Sequence, residues 1–163
     1  MIDIHETSTV GEVFFEAALR YADKPFLAVP ANPARSYAPQ GLAWTYAQTA
    51  SMVRGLMERY AEAGYGVGHR VGLLLENRLE HFLHKLAMNA LGVCCVPLNP
   101  DHRPQEMAYV VGHAQLDLVV VLDSLVPLLQ QALSLGSPRP AVVTLQEADL
   151  PLPRPRRPAT STV

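Results

Sequence analysis

Three groups of side chains carry chemistry at a spacing that invites a test. Gly64, Gly66 and Gly68 have the density of a phosphate-binding loop, but such a loop follows a strand and opens a helix so that its backbone N–H groups face the phosphates. Here the glycines follow a helical stretch and precede an apolar run that begins at Val71. They read as a helix stop and a tight turn. His81 and His84 stand one helical turn apart and could present two imidazoles to a metal, but no third ligand is spaced to join them. Both are expected at exposed polar positions. Asp101, His102 and Arg103 follow another apolar run, which puts them beyond a strand's carboxyl end, the edge where open parallel sheets bind ligands. The competing expectation is that Asp101 caps the next helix.

Other chemistries lack their residues. There is no Gly-x-Ser-x-Gly elbow for a nucleophilic serine, and no paired carboxylates stand out for general acid–base work. The two cysteines, Cys94 and Cys95, are adjacent in an apolar run, where a disulfide is sterically awkward and a reduced, buried pair is natural. Metal or redox use would need further cysteines or a Cys-x-x-Cys spacing. Residue types and spacing thus assign no catalytic, cofactor-binding or metal-binding residue.

The elements around these residues follow from periodicity. Thr9 with Glu12 forms a capping-box pattern before a helix carrying Val10, Val13, Phe14, Ala17 and Tyr21 on one stripe and ending near Asp23. Phe26 to Val29 and Leu42 to Trp44 read as short strands on either side of a Pro/Ala/Asn-rich loop. Thr45 with Gln48 then caps a helix bearing Tyr46, Ala50, Val53, Met57 and Tyr60, which Gly64 stops. Val71 to Leu75, Val93 to Leu98, Leu118 to Leu122 and Ala141 to Leu145 suit strands buried on both faces. Between them lie three helical patterns: Leu79, Phe82, Leu83, Leu86, Ala87, Ala90 and Leu91 closed by Gly92; Met107, Val110, Val111 and Ala114 after Pro104; and Leu125, Leu128, Leu129, Ala132 and Leu133 from Ser124. Strand–helix–strand repetition of this length implies an α/β fold of parallel strands with right-handed helical crossovers.

A chain of 163 residues, 49% hydrophobic and 17% charged, has material for one domain with a core. Its formal net charge of −2, with no basic block before the tail, gives no electrostatic basis for binding nucleic acid or an anionic membrane. The opening Met1-Ile2-Asp3-Ile4-His5-Glu6 carries acids where a secretory signal has a basic start, and no stretch approaches the roughly 18 apolar residues of a membrane span. A cytoplasmic location is expected. From residue 150 the composition changes to Pro-Leu-Pro-Arg-Pro-Arg-Arg-Pro, so residues 1–149 read as the folded part and 150–163 as a Pro/Arg-rich linker, extended, disordered and with solvated arginines.

Two segments resemble the adenylate-forming (AMP-binding) superfamily, which includes acyl-CoA synthetases, luciferases and peptide-synthetase adenylation domains. Trp44-Thr45-Tyr46-Ala47-Gln48 resembles that family's early Thr-Tyr-x-Glu-Leu motif, with Gln48 and Thr49 in place of Glu and Leu. Leu86 to Pro100 is similar to its helix–Gly–strand–Pro segment, and the ending Pro97-Leu98-Asn99-Pro100 looks most like the acyl-CoA synthetase branch. The flanks agree. Gly68-His69-Arg70-Val71 resembles a Gly-Asp-Arg-Val lead-in to a strand, Glu76-Asn77 follows, and Pro104-Gln105-Glu106-Met107 looks like a Pro-x-Glu-Leu helix start. The resemblance covers roughly residues 7 to 145.

This resemblance implies the N-terminal portion of the large domain of an acid–CoA ligase. The whole enzyme would use ATP, Mg and CoA: a carboxylate attacks the α-phosphate of ATP to give an acyl-adenylate and pyrophosphate, and the CoA thiol displaces AMP. The family's Ser/Thr/Gly-rich phosphate loop followed by Lys, its adenine pocket, its metal-binding acid and its catalytic lysine lie downstream of the matching segments and are not in this sequence. The chain alone is therefore expected to be inactive, with the remainder of the same enzyme as its partner. The alternative is a stand-alone, non-catalytic α/β module that binds a protein or small ligand at its strand ends.

Overall fold

The computed structural model describes residues 8–136, 139–149 and 151–160. Met1 to Glu6, Leu150 at the expected boundary, and Ser161 to Val163 lie outside the described residues. Helix α1 (Val10–Arg20) begins as its capping box dictates: the Glu12 N–H donates to Thr9 Oγ1 at 3.2 Å, and the Thr9 N–H donates to the Glu12 carboxylate at 2.8 Å. Strands β1 (Pro25–Val29) and β2 (Leu42–Thr45) pair antiparallel. The loop between them is held by Arg35, whose guanidinium donates to the carbonyls of Pro30, Tyr37 and Ala38. Helix α2 (Tyr46–Ala63) starts at the reciprocal Thr45–Gln48 cap and ends at Gly64, whose φ of 95° is the left-handed conformation glycine adopts without strain.

The rest alternates regularly: β3 (Arg70–Leu74), α3 (Leu79–Ala90), β4 (Cys94–Pro97), α4 (Pro104–Ala114), β5 (Leu118–Val121), α5 (Val126–Ser134) and β6 (Ala141–Thr144). The four strands form one parallel sheet in the order β4-β3-β5-β6. Strand periodicity divides the core in two. Val71, Leu73, Leu118 and Val120 face a cluster with Phe14, Val53, Tyr60 and Met88 from α1, α2 and α3; Leu74, Val119 and Val121 face Met107, Val111, Leu129 and Ala132 from α4 and α5. Gly72 lies on that second face, where a Cβ would sit 2.7 Å from Leu116 Cδ1, 3.1 Å from Leu98 Cδ1 and 3.2 Å from Val119 Cγ2.

Several expectations are corrected. Strand β4 pairs only with β3 among the described residues, so it is an edge strand; Cys94 is exposed and Cys95 half-buried rather than both being hidden, and Pro97 is exposed too. The buried face of α3 is Leu79, Leu83, His84, Ala87 and Met88, because α3 packs against both α1 and α2. His84 is thus a core residue, not an exposed one, while Phe82 is 50% exposed. On α1 the contact face centres on Gly11, Phe14 and Ala18, leaving Val10 and Tyr21 outside. Asp101 does not cap α4: the N-cap is Arg103, whose N–H donates to Glu106 Oε2 at 2.8 Å, with Pro104 as the first helical residue. Helix α5 starts at Val126, after a short 3₁₀ turn over Asp123–Leu125.

The largest departure concerns the tail. Residues 151–160 form no helix or strand, yet they run back along the turn between α2 and β3 instead of standing free. Leu152 is buried in the first core cluster, the Tyr65 hydroxyl donates to the Pro153 carbonyl at 2.9 Å, and the Thr160 N–H donates to the Val67 carbonyl at 2.8 Å. Gly66 N–H donates to His69 Nδ1 at 3.0 Å, which leaves Nε2 as the protonated nitrogen facing the Arg157 carbonyl at 2.8 Å. Arg157 grips Asp117 with two parallel hydrogen bonds of 3.0 and 2.7 Å. Alternating prolines forbid a ladder but not docking, since side chains and carbonyls supply the bonds.

Candidate functional site

The carboxyl ends of β3 and β4 open into a cavity of about 350 Å³ lined by Glu76, Asn77, His81, Asn99 and Asp101, with Pro97, Leu98 and Pro100 as its apolar part. It forms because β3 ends abruptly. Glu76 takes a left-handed backbone with φ of 53°, uncommon for a non-glycine residue and a mark of local strain. On the β4 side an Asn99-centred turn, with Asp101 N–H donating to Asn99 Oδ1 at 3.0 Å and His102 N–H to the Asn99 carbonyl at 3.2 Å, carries the chain to α4.

Beside the cavity, the Arg78 guanidinium stacks over the Tyr37 ring at 4.0 Å and pairs with Glu80 at 3.4 Å, while the Leu79 N–H donates to the Tyr37 hydroxyl at 3.3 Å. Burial raises the Tyr37 pKa, with Glu80 adding to the effect. Burial also lowers the His81 pKa and the Lys85 charge lowers it further, against a hydrogen bond to the Glu76 backbone. The rim is thus a set of carboxylates, amides and one imidazole held near its neutral form. It can accept and donate hydrogen bonds; no cationic group lines it.

The structure brings Asp101 together with His81 but separates the rest of the sequence candidates. His84 points away into the core, where its Nδ1 lies 2.8 Å from the Tyr60 hydroxyl. Arg103 serves the start of α4, and His102 Nδ1 is buried with no partner among the described residues. Gly64, Gly66 and Gly68 sit at the amino end of β3, opposite the strand-end cavity. No three His, Cys, Asp or Glu side chains converge as a metal site among the described residues. No helix there is long and apolar enough to cross a membrane. Sequence reasoning named Glu76 only within a matching motif, not as a site residue, and missed the Arg78–Tyr37 stack. The only signal for the stack was an aromatic residue stranded in an otherwise small and polar loop.

Comparison with known proteins gives the chain its family. The long-chain-fatty-acid–CoA ligase of Thermus thermophilus is 36% identical over 87 residues, 53% of this chain and 16% of that protein. Surfactin synthase subunit 1 of Bacillus subtilis is 30% identical over 112 residues, 69% of this chain and 3% of that protein. Among solved structures, the N-terminal domain of FACL13 from Mycobacterium tuberculosis superposes with a TM-score of 0.70 at 18% identity, covering 86% of this chain and 34% of that one. The anthranilate CoA ligase AuaEII in complex with anthranoyl-AMP gives 0.73 at 17% identity, covering 98% and 30%. This chain spans under a fifth of the length of those two relatives and about a third of those solved chains. The solved structures share its α/β layering. The family described as AMP-binding enzyme matches residues 14–160, from Phe14 in the first core cluster to Thr160 at the end of the docked tail, and the chain therefore belongs to that family.

Proposed function

We propose that this chain is the N-terminal part of an ATP-dependent carboxylic acid–CoA ligase and is inactive on its own. The observation that carries the reading is the family match over residues 14–160 by a chain spanning 16% of the Thermus ligase. Residues 1–149 would be a partial N-terminal subdomain, and 150–163 the segment leading toward the rest of the enzyme. Its role is scaffolding: the parallel sheet and the α2–α3 layer give the remainder a packed surface and a strand-end edge. A cytoplasmic place in fatty acid metabolism is part of the proposal, motivated by relatives named long-chain-fatty-acid–CoA ligases.

ATP, Mg and CoA belong to the whole enzyme. The strand-end cavity does not fit a triphosphate, because it offers Glu76 and Asp101 and no cationic donor, so its own charge opposes phosphate binding. The test is acid-dependent exchange of pyrophosphate into ATP, first with the purified chain and then with the chain co-expressed with the protein encoded downstream. The expected result is none for the chain alone and thioester formation for the combination. Exchange by the chain alone would refute the scaffold role.

A second reading, a stand-alone binding module, draws on one observation: the tail folds back onto the domain through Asp117 and Arg157 and closes the chain on itself. A monomer with a sharp cooperative melt and no downstream reading frame would favour it.

A further inference from the structure

The opposite edge of the sheet, at the strands' amino ends, carries charge that the proposed function does not use. A pocket of about 280 Å³ is lined there by Arg139, Arg156 and Arg157 above an apolar floor of Leu116 and Pro140, with Asp117 at its side. An adjoining hollow is lined by Arg154, Arg156 and Arg157. The two share Arg156 and Arg157, so four guanidiniums form one continuous patch with Asp117 and Glu62 as the acids among the described lining residues, on a chain whose formal net charge is −2.

Helix carboxyl ends turn their carbonyls to this rim, where the neighbouring Arg70 donates to the Ala114 carbonyl at 3.1 Å and Arg157 of the patch to the Gln115 carbonyl at 3.3 Å. Arg157 is further committed to Asp117. Arg139, Arg154 and Arg156 make no hydrogen bond or ion pair among the described residues. Their guanidiniums are unspent forks of the kind that hold phosphate oxygens in pairs.

We propose that this amino-end pocket binds a small, soluble phosphomonoester, its phosphate held between Arg139 and Arg156 and its apolar body resting on Leu116 and Pro140. The docked tail assembles the site, since Arg156 is brought to Arg139 by the neighbouring contacts of Leu152, Pro153, Arg157 and Thr160. The site is distinct from the strand-end cavity and does not depend on the ligase reading.

The test is titration of the whole 163-residue chain with phenyl phosphate at low ionic strength, followed by amide chemical shifts of Gln115, Leu116, Arg139 and Arg156. Saturable shifts are expected, weaker for inorganic phosphate, which lacks the apolar body. Arg139→Gln and Arg156→Gln should each weaken binding about tenfold, while the lysine variants retain part of it. Neither side chain bonds to the described protein, so an unchanged Asp117–Arg157 contact checks that each variant is folded. No saturable shift, equal binding by the double glutamine variant, or binding only to vesicles containing phosphatidic acid would overturn the proposal.

Discussion

His84 shows how one side chain records its surroundings. Burial, and then the nearby Arg59 charge, pushes its pKa down from the ordinary 6.5 to about 3. In the unfolded chain it takes up a proton near 6.5, so between 6.5 and about 3 the unfolded state binds more protons than the folded one. Its contribution is therefore fully present above pH 6.5 and is lost as pH falls toward the folded value. Urea unfolding at a series of pH values should show stability declining across that window, by on the order of a few kcal/mol. His84→Gln should flatten the decline; an unchanged slope would show that other groups carry it. The cysteines make a second test. Cys94 is exposed, whereas Cys95 is half-buried and burial pushes its thiol up to about 11. A thiol reagent should modify Cys94 at least about tenfold faster than Cys95, measured by peptide mass spectrometry. Equal rates would mean that β4 is covered.

At the level of elements, local rules were legible and neighbours were not. Both capping boxes, the stop at Gly64 and all four parallel strands were readable, because each depends on residues within a few positions of one another. Which strand lies at an edge depends on pairing across the chain; β4 reads as a buried strand by composition, and only the order β4-β3-β5-β6 exposes it. His84 was misread for the same reason, since what buries it is α2, more than twenty residues earlier in the chain. Close packing also fixes Gly72: Gly72→Ala places a methyl against Leu116, Leu98 and Val119 and should cost about 1–3 kcal/mol by chemical denaturation. A neutral result would mean that the two sheet-face leucines move aside freely.

The tail sits at the same scale. Burial pushes the Asp117 carboxyl up, but hydrogen bonds from Arg157 and the Arg70 N–H, and the Arg157 charge, outweigh it and hold the pKa below the ordinary 3.8. The clasp is therefore fully present above pH 3.8 and is lost as pH falls through the depressed value. Arg157 is partly exposed, so the pair is worth at most ~1 kcal/mol. Asp117→Asn should speed tryptic cleavage after Arg156, the one arginine among residues 151–160 not followed by proline, at neutral pH by up to about fivefold. Unchanged cleavage would show that Leu152, Tyr65, His69 and Val67 hold the tail without the clasp.

For the whole molecule, the family was readable from the order of its motifs, while the candidate site was only half readable. Asp101 lies at the carboxyl ends of the strands as its place after β4 implies. Its partners Glu76 and His81 come from a different strand end and helix start, joined to it by the register that sets Arg70 opposite Cys94. Several apolar side chains remain outside: Leu19 is 79% exposed, Tyr109 69% and Phe82 50%. In the scaffold reading such surface awaits cover, and the chain expressed alone should associate reversibly in analytical ultracentrifugation and become monomeric in complex with its remainder. A strictly monomeric chain at high concentration would count against that reading.

The docked tail also has a mechanical consequence. Its fastenings lie one after another along the segment: Thr160 to Val67, Arg157 to Asp117 and His69, Pro153 to Tyr65. A pull on whatever follows Thr160 loads these points in series, so they open singly, last residue first, like the teeth of a zip. The sheet is loaded only after Leu152 has left the core, which makes the tail a sacrificial link that yields before the fold does.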